Sequence, residues 1–325
     1  MTRRRALALL AVSPLAAPLH AQAQPALPTI GFLRSTPAEP FAHLVTAFRA
    51  GLKEAGLVEG QSVAIEYRYA DNQPGRLPGL VADLVQRQVA LIVCNQGAAI
   101  AAKAGTATVP IVFVAGGDPV QAGLVPSLQR PGGNLTGVTF FGGAQLAAKR
   151  IELLHDLVPK VGLIGVLQDP SYAGSIADVR EITAAARALG LRTVVAHAAT
   201  QEEFDPAFGR IVQAGAGALV VSGAALFTSR FERLVALATR HAVPVIYDQR
   251  DYVVAGGLIS YSASFTGAYH QAGMYAARIL KGARPGELPV LQPTTFELVI
   301  NLKTAKALGL AVSPSVRARA EEVIQ

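Results

Sequence analysis

Tryptophan is absent from the 325 residues, methionine occurs twice and cysteine once. A single thiol, Cys94, excludes an intrachain disulfide and any multi-thiolate metal site. It ends an apolar run, where a cysteine reads as a small buried hydrophobe. Charge is sparse at 16%. The formal +7 comes from 29 basic and 22 acidic residues, but Arg3, Arg4 and Arg5 cluster at the start. Without them 26 basic residues face 22 acidic ones, and a dispersed +4 lacks the basic footprint of a nucleic-acid binder. No apolar run after residue 23 approaches the roughly 20 residues a membrane span needs. Enzyme signatures are missing too. There is no G-x-S-x-G elbow, no phosphate-binding G-x-x-x-x-G-K and no H-E-x-x-H. Gly215-Ala216-Gly217 lacks the third glycine of a dinucleotide fingerprint and precedes a strand pattern instead of following one. The six histidines are scattered without paired metal spacing. The expectation is a protein without catalysis, cofactor or metal.

The first 23 residues are the most directive segment. Behind the three arginines, Ala6 to Leu19 is apolar apart from Ser13, Pro14 and Pro18, and Ala21-Gln22-Ala23 offers small residues at the −3 and −1 positions of a cleavage site. This is the layout of a secretory signal peptide, and the expectation is a mature protein cleaved near Ala23 and exported to the periplasm. About 300 residues remain, with an apolar fraction of 51% over the chain, enough for two lobes of ordinary domain size.

The remainder alternates strand and helix patterns. Strands are predicted at Ile30–Leu33, Val63–Tyr67, Leu91–Cys94 and Ile111–Val114. Helical stripes run through Phe41–Leu52, Leu77–Val85 and the Ala-rich Ala98–Ala104, and a further helix is predicted after Asp118-Pro119. After Pro131-Gly132-Gly133 the pattern restarts. Strands follow at Leu135–Phe140, Val161–Leu167, Val194–Ala196, Leu219–Val221, Val245–Tyr247, Leu258–Tyr261 and Phe296–Ile300, with helices between them. A βαβα order implies parallel sheets covered on both faces, here as two doubly wound α/β lobes.

Open α/β sheets bind ligands beyond the carboxyl ends of their strands. The loops at those ends supply the candidates: Ser35 and Thr36; Asn95, Gln96 and Gly97; Gly116 and Asp118; Pro170, Ser171 and Tyr172; Ser222 and Gly223; Tyr247 and Asp248. They are rich in hydroxyls, amides and glycines, and helix N-termini nearby suit carboxylates. Capping is the plainer role for any one of them. Asp118, before Pro119, fits either a cap or the partner of a ligand amine. Phe140 and Phe141 sit where the chain leaves the first lobe and suit either a ligand or the core. Tyr172, Tyr247 and Tyr261 end or follow strands, where their rings can stack on an apolar ligand.

Three separated motifs carry a family resemblance. They are Gly117-Asp118-Pro119-Val120-Gln121-Ala122-Gly123-Leu124-Val125 with Arg130-Pro131-Gly132-Gly133-Asn134-Leu135-Thr136-Gly137-Val138, Leu57-Val58-Glu59-Gly60 leading into Ile65-Glu66-Tyr67-Arg68, and Phe296–Gly309. The chain resembles the extracytoplasmic ABC-transporter substrate-binding proteins of the tryptophan/tyrosine-binding type. The resemblance implies a type I periplasmic binding fold, two lobes joined by three crossings with the ligand enclosed between them. The lobes are then expected at 24–138 plus 265–288 and at 139–264 plus 289–325. It also implies a monomeric receptor that closes on a small ligand, an aromatic amino acid or related acid, and delivers it to an ABC permease in the inner membrane. A sensor for a membrane receptor shares this fold, and an exported hydrolase remains a second alternative. The chain departs from the family's usual residues at Gln96-Gly97, Ser222-Gly223-Ala224-Ala225 and Asp248-Gln249-Arg250, so the ligand's identity does not carry over.

Overall fold

A computed structural model describes residues 27–325 except Phe141, Ala173 and Thr295. The predicted signal peptide therefore lies outside the described residues. The first lobe opens with β1 (Thr29–Arg34), α1 (Ala42–Glu54), β2 (Ala64–Tyr69), α2 (Leu77–Gln86), β3 (Leu91–Asn95), α3 (Gln96–Gly105), β4 (Ile111–Ala115) and β5 (Leu135–Thr139). The first sheet is wholly parallel, in the order β2-β1-β3-β4-β5. Strand alternation sends Ile30, Phe32, Leu91, Val93, Val112 and Val114 to one face, and Leu33, Ile92, Cys94, Ile111 and Phe113 to the other. Both faces are buried, as a parallel sheet requires.

The second lobe continues with α4 (Gly143–Leu157), β6 (Leu163–Gln168), α5 (Ser175–Ala188), β7 (Arg192–His197), α6 (Phe204–Gln213), β8 (Ala218–Val221), α7 (Ala225–Ser229), α8 (Phe231–Arg240), β9 (Val245–Tyr247), α9 (Arg250–Val254) and β10 (Ile259–Ala263). The chain then returns to the first lobe as α10 (Phe265–Leu280), capped by the Ser264 hydroxyl, which accepts from Gly267 N at 3.2 Å. It packs along α1 so tightly that both helices carry glycine at the crossing, Gly51 and Gly273. A further crossing leads to β11 (Phe296–Asn301), α11 (Leu302–Ala307), α12 (Pro314–Ala318) and β12 (Glu322–Ile324). The second sheet has the order β12-β11-β10-β9-β8-β6-β7 and is parallel except for the antiparallel pair β10–β11. That exception follows from β11 arriving after the excursion through α10 instead of by a right-handed crossover.

One predicted helix is absent. After Asp118-Pro119 the chain makes only a turn, with Ala122 N bonded to Asp118 O at 2.9 Å, and Gly123 at φ +68° ends it. α7, α9, α12 and β12 are elements the sequence pattern did not single out; each is five residues or fewer, too short to develop a period.

Cys94 is 1% exposed in the core of the first sheet, and burial holds its thiol well above the usual range. Reactivity belongs to the thiolate and requires access. The native protein should therefore resist a thiol reagent for as long as guanidinium-unfolded protein takes to react completely. Stoichiometric labelling of native protein on that timescale is the contrary result.

Candidate functional site

The carboxyl ends of both sheets face a single cleft of about 1060 Å³, its open mouth included. One wall is aromatic. Phe41, Phe140, Phe265 and Tyr269 come from the first lobe and its returning helix, and Phe140 and Phe265 lie 4.1 Å apart between ring centroids. Tyr172 faces them from the second lobe.

The opposite wall is ionic. Arg150 projects from α4 and Asp178 and Glu181 from α5, while Asp248 follows β9. Arg150 donates through Nε to the Tyr261 carbonyl at 2.8 Å. The two aspartates approach one glycine: a Cβ at Gly223 would lie 3.3 Å from Asp248 Oδ2 and 3.7 Å from Asp178 Oδ2. Burial raises the Asp178 carboxyl to about 7 and the Asp248 carboxyl to about 6, with the Arg150 charge opposing both shifts. Burial also raises Glu181, and it lowers Arg150 against the pull of Asp248 and Asp178. Perturbed groups gathered in a cleft mark a functional site.

Buried polar atoms on the cleft walls that have no hydrogen-bond partner among the described residues are Gln96 Nε2, Ser222 Oγ and Asp248 Oδ1. Such atoms cost free energy unless something bonds to them, roughly 1–3 kcal/mol each. Together they provide a donor, an acceptor and a hydroxyl able to act as either.

Polar contacts join the lobes around the cleft. The Tyr172 hydroxyl donates to Gln96 Oε1 at 3.1 Å, and the same oxygen accepts from Gly117 N at 2.7 Å. Asn72 Nδ2 donates to Ser229 Oγ at 3.0 Å, and His43 Nε2 lies 3.5 Å from the Asp251 carboxylate.

Nine of the predicted residues line the cleft: Asn95, Gln96, Gly97, Gly116, Phe140, Tyr172, Ser222, Gly223 and Asp248. Phe141 lies outside the described residues. The others sit elsewhere, each for a local reason. Ser35 and Asn95 bond to each other, Ser35 N to Oδ1 at 2.9 Å and Nδ2 to Ser35 Oγ at 2.7 Å, so Ser35 positions Asn95. Thr36 is fully buried and accepts from Arg34 Nε at 3.1 Å. Asp118 borders a small side cavity, where its Oδ1 accepts from Val120 N at 2.8 Å. Pro170 and Ser171 are exposed, and Ser171 folds back onto Asp169 Oδ1 through N at 2.8 Å and Oγ at 2.6 Å. Tyr247 is fully buried in the second lobe and stacked on Tyr252 at 4.5 Å, out of reach of a cleft ligand. Tyr261 stacks on Phe296 and serves the cleft only through its carbonyl.

Phe41, Arg150, Asp178, Glu181, Phe265 and Tyr269 are cleft residues that the sequence reading missed, whereas Arg34 and Gln249, which stand in the strand-end loops Arg34-Ser35-Thr36 and Tyr247-Asp248-Gln249, line the cleft as well. Arg34 also has a legible signal. Arg34 continues the alternation Ile30, Phe32 at the carboxyl end of β1, so a charge falls where the next core residue would stand.

Among the described residues, no helix is long and apolar enough to cross a membrane, and no group of three or more His, Cys, Asp or Glu is placed to hold a metal ion. Comparison with known proteins adds the family. The chain is 28% identical over 264 residues to a tyrosine-binding protein of Clostridioides difficile (strain R20291), covering 81% of this chain and 75% of that one. It superimposes on the ABC domain in complex with L-Trp from Streptococcus pneumonia with a TM-score of 0.86 and 27% identity, over 92% of this chain and all of that one. A ligand-free, open substrate binding protein with adhesive properties from Clostridium difficile, 25% identical with the same coverage, gives a TM-score of only 0.69. The model for ABC transporter substrate binding proteins matches residues 38–324. With nearly the whole described chain inside that match and the two-lobed cleft at its centre, the protein belongs to the ABC transporter substrate-binding protein family.

Proposed function

We propose that this protein captures an aromatic amino acid, or a close relative of one, between its lobes and presents it to an ABC permease for import without altering it chemically. The observation that carries the reading is the orphaned set Gln96 Nε2, Ser222 Oγ and Asp248 Oδ1 beside a wall of aromatic rings. A planar apolar body fits the rings. An ammonium group fits Asp178 and Asp248, whose charged forms the nearby Arg150 favours. The relatives point the same way, through the ligand named for the Clostridioides difficile protein and the L-Trp bound to the streptococcal one. Hinge closure is the conformational part of the proposal. At similar identity the fold is nearer to the ligand-bound relative than to the open one, and the Tyr172–Gln96 and Asn72–Ser229 bonds are contacts that an open form would lack. A ligand favours the closed form by the extra contacts it makes there.

Thermal shift against L-tryptophan, L-tyrosine and L-phenylalanine tests the reading. Micromolar affinity corresponds to about −8 kcal/mol. At a hundredfold excess over Kd it stabilises the native state by about 2.7 kcal/mol, a rise of several degrees in Tm. No shift with any of the three defeats the aromatic-amino-acid reading. The transport role predicts that cells lacking the protein lose high-affinity uptake of whichever compound binds.

A further inference from the structure

The cleft contains two arginines in different electrostatic situations. Arg150 makes no ion pair within 4.0 Å with a described residue, but Asp248 and Asp178 lie near enough for their charges to act against its burial. Arg34 is only 2% exposed. Its Nε donates to Thr36 Oγ1 at 3.1 Å, its Nη1 donates to the Tyr269 hydroxyl, and the Phe41 ring centroid lies 4.0 Å from its Cζ. All three partners are neutral. No carboxylate of a described residue lies within 4.0 Å, and Nη2 makes no hydrogen bond to a described residue. Arg49, Arg68, Arg76, Arg233 and Arg250, which are more exposed, all have carboxylate partners.

A buried cation without a counter-charge is costly. The Phe41 face offsets only part of that cost. Holding a guanidinium rigid, dry and unneutralised on the wall of a binding cleft makes sense when the missing anion arrives with the ligand, because the planar fork matches a carboxylate in bidentate fashion. Resting on the functional reading above, we propose that Arg34 receives the ligand's carboxylate, or an equivalent acidic group. Arg34 belongs to β1 of the first lobe, and Asp178 and Asp248 to the second. A dipolar ligand then bridges the lobes through opposite ends, and closure is tied to its having both charges.

The test uses the Arg34→Gln variant, which keeps an amide near Thr36 and Tyr269 while removing the charge. In the absence of ligand its Tm should stay close to that of wild type, because the cost of burying the charge disappears together with the two hydrogen bonds and the Phe41 contact. A fall of several degrees would make Arg34 a structural residue and overturn the proposal. Calorimetry with L-tryptophan, tryptamine and 3-(indol-3-yl)propionate then separates the charges. Arg34→Gln should lose about a hundredfold in affinity for the two carboxylate-bearing compounds and less than threefold for tryptamine. Equal losses for all three, or none, overturn it. If wild type binds no member of the set, the aromatic reading fails by itself, and native mass spectrometry of both proteins purified without refolding takes over. An acidic small molecule retained by wild type and missing from Arg34→Gln supports the assignment. A molecule retained equally by both, or one lacking an acidic group, refutes it.

Discussion

Gly273→Ala should destabilise the protein by at least about 3 kcal/mol, a large effect for one methyl group. α1 and α10 cross with their backbones in contact. A Cβ at Gly273 would lie 2.3 Å from the Phe48 carbonyl oxygen, and one at Gly51 would lie 2.0 Å from the His270 carbonyl oxygen. In each case the obstructing atom is main chain, so no rotamer change relieves the clash and the helices must separate. Separation opens the packing of Phe48, Leu52, Tyr269 and Ala276 against Phe32 and Leu44, all buried. It also shifts Tyr269, which holds Arg34, and Phe265, which packs on Phe140 at the cleft. Ligand affinity should therefore fall together with stability. The control is Gly79→Ala on the exposed side of α2, where nothing lies within 4 Å of the added methyl. There alanine's helix propensity should be neutral or mildly stabilising, by about 0.5–1 kcal/mol. Guanidinium unfolding of the three proteins decides the matter, and a Gly273→Ala midpoint indistinguishable from wild type would show that the helices can move apart freely.

Affinity for an amine-bearing ligand should climb between pH 5 and pH 8, and Asp248→Asn should lower it by about a hundredfold at pH 8. The direction follows from the aspartates. In the unfolded chain each carboxyl loses its proton near 3.8, whereas burial raises Asp178 to about 7 and Asp248 to about 6 in the fold. The native state thus holds more protons than the unfolded chain between those limits. The stability contributed by these raised values is complete below about 3.8 and is lost as pH rises through 6 and 7. The ligand-free protein should accordingly melt lower at pH 8 than at pH 5 as far as this pair is concerned. An ammonium group substitutes for the missing protons. Binding then releases protons, and the association constant gains up to tenfold per pH unit for each proton displaced. The groups around the pair are Arg150 from α4, Glu181 from α5 and Asp251 from α9. Arg150 favours the charged carboxylates, whereas Glu181 (acting on Asp178) and Asp251 (acting on Asp248) disfavour them. Asp248→Asn removes one titrating partner, so it should flatten the pH profile and raise the ligand-free Tm at pH 8. Calorimetry across the pH range checks both halves. A level affinity profile in wild type, or an Asp248→Asn protein that binds as tightly, contradicts the assignment of the amine to this wall.

The fold was far more legible in the sequence than the cleft. Periodicity located the long strands and helices because burial on both faces of each sheet leaves a dense apolar record, as in Leu91–Cys94 or Val161–Leu167. The rule that ligands sit beyond strand ends led to loops that line the cleft: Asn95-Gln96, Gly116, Tyr172, Ser222-Gly223 and Asp248 all reach it. It could not tell which residue of a loop points inward. Ser171 and Tyr172 are neighbours, yet one folds onto Asp169 while the other crosses to Gln96. Tyr247 and Asp248 are neighbours too, and the pleat sends the tyrosine into the core and leaves the aspartate at the cleft. Arg150, Asp178 and Glu181 escaped notice because they stand on helices, where a charged residue normally marks the solvent side. Only the approach of the second lobe to the first makes that side an interior wall.

The path of the chain constrains how such a molecule can be made. The first sheet is complete by residue 139, but the helix that covers it spans residues 265 to 280, and the second sheet acquires its last strand at residues 322 to 324. A ribosome-bound fragment therefore has an uncovered apolar strip along α1 for more than a hundred residues of synthesis, and each half reaches its final packing only when its own returning segment has emerged, residues 265 to 280 for the first and the carboxyl-terminal strands for the second. Exchanging one half for that of a relative would need several simultaneous junctions, which makes stepwise substitution inside the cleft the more accessible route to a new ligand.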